Sequence, residues 1–156
     1  MIEITIPGRK TYRLNYLVLD LNGTLTVDGR LIDGVRERLK ALSERLDIYI
    51  VTADTLGVAT EVAGSLGIKM HRLKAGAEST QKLEFIQQLG KESVISIGNG
   101  ANDVAMLRES VLGICVIGPE GAAAEAMSAC DLVTTDINTT LDLLLKPIRI
   151  IATLRN

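Results

Sequence analysis

Aromatic residues are nearly absent from this chain: no tryptophan, one phenylalanine and three tyrosines among 156 residues. So few rings leave little on which bases or sugar faces could stack, which removes single-strand nucleic-acid binders and aromatic carbohydrate platforms. A single histidine, His71, cannot build a multi-histidine zinc centre, and Cys115 and Cys130 match no zinc-finger or CxxC spacing. Both cysteines read as reduced structural thiols, Cys115 inside the apolar run ICVIG and Cys130 after an alanine-rich helical stretch. No apolar run approaches the ~18 residues of a membrane span, and the opening MIEITIPGRK lacks a charged segment followed by a long apolar core. The expected compartment is the cytoplasm, with no membrane partner. An excess of one charge is missing too: 17 Lys and Arg against 19 Asp and Glu give a net −2, too balanced for a nucleic-acid partner.

What is present is ordinary globular composition, 47% hydrophobic and 23% charged, at a length that suits one domain over residues 1–156. Strand-like runs rich in Val and Ile recur at Tyr16 to Leu21, Asp47 to Thr52, Ser93 to Gly98, Gly113 to Ile117 and Leu132 to Thr134, with a weaker one at Ile68 to Leu73. Helical patterns alternate with them. Val35, Leu39, Leu42 and Leu46 form one apolar stripe on an otherwise charged helix; others run over Leu56 to Leu66, Glu78 to Leu89, Ala101 to Glu109, Gly121 to Ser128 and Thr139 to Leu145. Repeated strand-then-helix units call for a parallel sheet covered on both faces, an α/β three-layer, doubly wound (Rossmann-like) sandwich. The first 14 residues, Ile2 to Ile6, Pro7-Gly8 and Thr11 to Leu14, read as an N-terminal β-hairpin added to this domain.

In such sheets ligands sit at the carboxyl ends of the strands. There the sequence places Asp20-Leu21-Asn22-Gly23-Thr24-Leu25-Thr26, then Thr52-Ala53-Asp54, then Gly98-Asn99-Gly100-Ala101-Asn102-Asp103. An aspartate ending a buried apolar strand needs a metal ion or a lysine as partner, because a desolvated carboxylate alone costs several kcal/mol. Lys82 is a candidate, in the first turn of its predicted helix, where a cation opposes the helix dipole by ~0.3–1 kcal/mol; Lys74 is its rival. Singly, each feature has a plain reading as a turn, a cap or a solvated side chain. Their recurrence at successive strand ends of one sheet is what makes a site.

These segments resemble the haloacid dehalogenase superfamily, most closely the soluble proteins similar to the phosphorylation domain of P-type ATPases. DLNGTLT resembles the signatures DKTGTLT and DxDGT, IVTAD the strand-end Ser/Thr motif, KLEFIQQL the lysine helix, and SIGNGANDVAML the hinge motif GDGxNDxxAL. The likeness runs from about Tyr16 to the end. It implies a nucleophilic Asp20 that accepts a phosphoryl group, Thr52 with the Gly23 and Ala53 amides around the phosphate together with Thr24 and Asn102, and Lys82 neutralising charge. It also implies Mg²⁺ held by Asp20, the Asn22 carbonyl, the Asn99 side chain and Asp103, directly or through water. Lys82 is preferred over Lys74 because Leu83, Ile86 and Leu89 follow it at the family's apolar spacing.

Two positions depart from the family pattern. Asn22 stands where the phosphatases carry a second aspartate, which works as general acid and base and is worth roughly 10²- to 10⁴-fold. Asn99 stands where the hinge motif has a magnesium-binding aspartate. The first predicts slow turnover or activated substrates such as acyl phosphates; the second predicts weaker Mg²⁺ binding. Both lie in Asn-Gly dipeptides, the context in which asparagine most readily deamidates. The spans from Asp20 to Thr52 and from Thr52 to Lys82 are too short for a cap or nucleotide-binding domain, so the site is expected to be open to water and bulky substrates unless a neighbouring subunit of a homo-oligomer covers it or Thr26 to Gly34 folds over as a flap. The expected activity is a Mg²⁺-dependent phosphatase or phosphotransferase acting through an aspartyl phosphate, on a small phosphorylated molecule or phosphoprotein. The competing reading is a catalytically impaired regulatory or phosphate-binding module.

Overall fold

The run Tyr16–Asp20 has two apolar faces, and Leu17, Val18 and Leu19 are fully buried in the computed structural model, which describes residues 1–53 and 57–156. A strand dry on both sides needs paired neighbours and a helical layer above and below. The elements are β1 (Ile2–Thr5), β2 (Thr11–Leu14), β3 (Tyr16–Asp20), β4 (Thr26–Val27), β5 (Arg30–Leu31), α1 (Val35–Ser43), β6 (Asp47–Thr52), α2 (Val58–Leu66), β7 (Lys69–Arg72), α3 (Glu78–Leu89), β8 (Val94–Gly98), α4 (Val104–Glu109), β9 (Leu112–Val116), α5 (Ala124–Ala129), β10 (Leu132–Thr134), α6 (Ile137–Leu145) and α7 (Ile148–Leu154). Six strands form one sheet in the order β10-β9-β8-β3-β6-β7, every pair parallel.

Alternation along the strands sorts the core into two layers. Leu17, Leu19, Ile48, Ile50, Ile95 and Ile97 face α1, α2, α6 and α7, whereas Val18, Val51, Val94 and Cys115 face α3, α4 and α5. The doubly wound sandwich read from the sequence is therefore the fold. At Gly113 of β9 an added Cβ would lie 2.1 Å from the Leu107 carbonyl oxygen, so only glycine lets α4 pack this closely on the sheet.

The hairpin of β1 and β2 forms as expected, in register Ile2 with Leu14 and Ile4 with Tyr12. It is more than an appendage, because Ile2, Ile4, Ile6 and Leu14 are at most 1% exposed and belong to the α1/α6 core layer. Other boundaries differ from the sequence reading. β3 ends at Asp20 instead of Leu21. A 3-10 turn over Ala101–Asp103 precedes α4, and α5 begins at Ala124 because Gly121 (φ 77°) and the residues after it stay in the loop. Helix α7 was not expected; it begins after Pro147, which serves as its N-cap, consistent with the tolerance of proline at helix starts. Leu56, the expected start of α2, and Asp54 lie outside the described residues. No helix among the described residues is long and apolar enough to cross a membrane.

Candidate active site

Parallel pairing brings the ends of β3, β6 and β8 to one edge, with Asp20 in register with Val51 and Leu19 with Ile97. Asp20, Thr52 and the Gly98-Asn99 turn therefore converge, as the strand-end argument requires. From across the α3 layer Lys82 reaches in, only 1% exposed, and its Nζ donates to Asp20 Oδ1 and to Asp103 Oδ1, each at 2.7 Å. Lys82 is the fifth residue of α3, beyond the first turn where the sequence reading put it, and its partner is this pair of carboxylates. Lys74 is exposed, in the loop before α3.

Asp103 is fully buried, with both oxygens engaged. Oδ1 accepts from Lys82, and Oδ2 accepts from the backbone N–H groups of Asn99 (3.0 Å) and Gly100 (2.9 Å). It holds the lysine and the turn after β8 at once. Gly98 makes room for it, since an added Cβ would lie 2.5 Å from the Asp103 Cγ. Two carboxylates around one ammonium carry an uncompensated negative charge in a dry pocket when all are ionised. The consequence falls on Asp20. Burial pushes its carboxyl up and Asp103 pushes it further; Lys82 draws it back only in part, so it titrates at about 7 against an ordinary 3.8. Burial pulls Lys82 down, but Asp20 and Asp103 outweigh it and hold the ammonium above its ordinary value. Near neutral pH the pocket thus wants a proton or an added cation.

The segment after Asp20 turns tightly: the Leu25 and Thr26 amides both return to the Leu21 carbonyl oxygen. Thr24 is buried, and its hydroxyl lies 3.4 Å from Asp20 Oδ2 and 3.2 Å from Asn99 Oδ1. Gly23 departs from expectation. Its N–H already donates to Thr26 O at 3.0 Å, so that amide is not offered to a phosphate. Glycine is needed there for a different reason: φ is +79°, and a Cβ would lie 2.5 Å from Asn99 Nδ2. Asn22 is exposed at the mouth, with no side-chain hydrogen bond among the described residues. Ala53 is half-buried beside Thr52. Asn102 is exposed on the rim, and its Nδ2 donates to Glu78 Oε2 at 3.0 Å.

Beyond Thr24, residues of the segment considered as a flap form a short hairpin of β4 and β5, turned by Asp28 and Gly29, both with positive φ. Its base is clipped to α6: Asn138 donates to the Asp33 carbonyl oxygen, and Arg38 bonds Gly34 O while its fork grips Asp142. Sequence reasoning missed Gln81, whose amide bonds Lys74 N, Lys74 O and Gly76 O, all at 2.9 Å, and so fixes the loop entering α3. The available signal was a glutamine just before Lys82, following a Lys-Ala-Gly-Ala loop with no acceptor side chains of its own.

The oxygens gathered beside Thr24, Asp20 Oδ2 and Asn99 Oδ1, are hard, one from a carboxylate and one neutral. Among the described residues no three His, Cys, Asp or Glu side chains cluster to form an all-protein metal cage. That donor set fits Mg²⁺, which commonly binds through one or two carboxylates, keeps several waters and takes the rest from substrate phosphate.

A family profile of haloacid dehalogenase-like hydrolases matches residues 8–110. An uncharacterised protein of Methanocaldococcus jannaschii is 45% identical over 93 residues, covering 57% of this chain and 100% of its own. A soluble P-type ATPase-like phosphatase of the same organism is 27% identical over 128 residues, 80% of this chain; the chain spans about half, 47%, of that relative's length. Among solved structures, the 3-deoxy-D-manno-octulosonate 8-phosphate phosphatase of Moraxella catarrhalis, crystallised with magnesium, phosphate and its sugar acid, shares the fold. Its TM-score is 0.69 at 22% identity, covering 91% of this chain and 94% of that one.

Proposed function

The chain belongs to the haloacid dehalogenase-like hydrolases, in a form without a cap domain, and from that membership we propose a phosphohydrolase working through an aspartyl phosphate on Asp20. The observation that carries the reading is the buried Lys82, held at 2.7 Å from both Asp20 and Asp103 beside the end of β6. A scaffold gains little from a desolvated lysine between two carboxylates, whereas phosphoryl transfer depends on positioned charge of this kind.

Asp20 attacks the phosphorus of a bound phosphoryl group; a P–O bond to the carboxylate forms as the P–O bond to the leaving group breaks. Water then attacks phosphorus, releasing orthophosphate and regenerating the carboxylate. Thr52 and the Ala53 amide hold the phosphoryl oxygens, and Lys82 balances the charge that develops on them. Mg²⁺ would be held by Asp20, Asn99 Oδ1 and the Asn22 carbonyl, with Asp103 as a further ligand directly or through water, and would supply further charge neutralisation. Asn22 can neither protonate a leaving group nor take a proton from water. Turnover is therefore slow on alkyl esters and favours leaving groups that depart without a proton, such as the carboxylate of an acyl phosphate. The substrate class is a small phosphorylated molecule or a phosphoprotein with an activated phosphoryl group.

The test is trapping with beryllium fluoride and turnover of acetyl phosphate, in wild type, Asp20→Asn and Asn22→Asp. Wild type traps and turns over, and Asp20→Asn does neither. If wild type does neither and Asn22→Asp gains nothing, the protein is a phosphate-binding module instead of an enzyme.

A further inference from the structure

Asn99 is tied on every side. Its Nδ2 donates to the Gly121 carbonyl oxygen at 3.1 Å, its Oδ1 lies 3.2 Å from the Thr24 hydroxyl, and its own carbonyl oxygen accepts from Ala123 N at 2.8 Å. The partners on the far side belong to the loop after β9, pinched shut by the bridge between Gly118 and Gly121. Glycines line this junction. A Cβ on Gly23 would strike Asn99 Nδ2, and one on Gly118 would lie 3.3 Å from the Gly23 carbonyl oxygen. Three segments thus meet at one amide: the nucleophile loop, the end of β8 and the loop 118–123.

The polarity of the contact decides which side chain fits. The end of residue 99 that faces Gly121 meets a carbonyl oxygen, which needs a donor. An aspartate has none. It would set an anionic oxygen against that carbonyl at about hydrogen-bond distance. We infer that Asn99 is a positioning residue whose amide nitrogen is required. By bonding Gly121 it pins the loop 118–123 to the nucleophile loop and keeps its own Oδ1 turned toward Thr24 and Asp20. The two asparagines are then not equivalent departures from the family pattern. Asn22 is an exposed position whose side chain makes no hydrogen bond among the described residues, and Asn99 is wired into the fold as an amide, so restoring the family aspartate there weakens the site. The inference rests on the reading of Asp20 as nucleophile only for its effect on turnover; the loop tie stands apart from it.

Amide hydrogen exchange by NMR in metal-free buffer reads how firmly the tie holds loop 118–123, at Ala123, whose N–H bonds the Asn99 backbone carbonyl beside it, and acetyl phosphate turnover at saturating Mg²⁺ reads its effect on the site. In Asn99→Asp, protection at Ala123 falls at least tenfold relative to wild type and kcat falls tenfold or more, although a potential metal-binding charge has been added. Asn22→Asp leaves Ala123 protected as in wild type. Gly23→Ala, which displaces Nδ2 without changing residue 99, lowers Ala123 protection in the same way and decides the matter if Asn99→Asp does not fold. Wild-type protection at Ala123 in folded Asn99→Asp, or in Gly23→Ala, overturns the inference, as does a rise in kcat in Asn99→Asp. If no variant, wild type included, traps or turns over phosphate while the exchange pattern holds, the proposed activity fails and the tie survives.

Discussion

Replacing Asp20 by asparagine changes how stability depends on pH, and the sign follows from the buried triad. In the unfolded chain this carboxyl titrates near its ordinary 3.8, and in the folded protein at about 7, because burial and Asp103 outweigh Lys82. Its folded value is raised, so its contribution is fully present below 3.8 and is lost as pH climbs to about 7. Across that window the unfolded state has released a proton that the folded state still holds, at ~1.4 kcal/mol per pH unit. The accumulated loss is about 4 kcal/mol, on the order of a third or more of a domain's whole stability. Asp20→Asn has no such proton. Urea denaturation with EDTA present, at several pH values from 4 to 8, should show wild type losing stability relative to the variant by about that amount; in melting temperature the divergence is roughly 10 °C. Comparing the slopes removes the absolute cost of taking one partner from Lys82, and groups elsewhere cancel between the two proteins. If the two curves run parallel over that range, the carboxyl is not buried against Asp103 as described.

Asn22→Asp should raise turnover of an alkyl phosphate by about 10²-fold, since it supplies the missing acid at an exposed position where a new charge costs little; steady-state kinetics with glycerol phosphate against acetyl phosphate show whether the gain is confined to the poor leaving group. Lys82→Met leaves two buried carboxylates facing one another and should cost about 3–5 kcal/mol in chemical denaturation, with beryllium fluoride trapping abolished. Gly113→Ala should cost several kcal/mol, because the new methyl meets the Leu107 backbone at 2.1 Å and neither α4 nor β9 can yield separately; circular dichroism melts would refute the packing argument if the variant melted with wild type.

Asp20, Thr52, Lys82 and Asp103 were legible in the sequence because each is a side chain whose chemistry fits poorly with its apolar surroundings, and parallel-sheet geometry says where such residues meet. The six-strand sandwich was legible for a similar reason, through runs too apolar to lie on a surface. What could not be read was carried by backbone groups. Gly121 enters the site through its carbonyl oxygen and Gly23 leaves it because its N–H is used by Thr26, and no residue type announces either fact. Helix α7 went unread; it begins directly after Pro147, its N-cap, one residue past the C-cap of α6. The hairpin was seen but underrated, since alternation in Ile2–Thr5 shows that one face is buried without showing which core it joins.

The position of β3 at the middle of the sheet bears on the order in which this molecule comes into being. Its neighbours, β6 and β8, both lie later in the chain, and the ammonium and carboxylate that surround Asp20 come from positions 82 and 103. The pairing of β3 with β6 is the more local of its two, and closure of β8 on β3 is the long-range step that buries Asp20 between Lys82 and Asp103. The loop-closure entropy of so distant a pairing must be met before the contacts reward it, so docking of β8 is the expected slow step in folding. The same closure that covers the open edge of β3 brings the ion-paired partners of Asp20 into place, so the chain order couples burial of that carboxylate to the arrival of the groups that offset it.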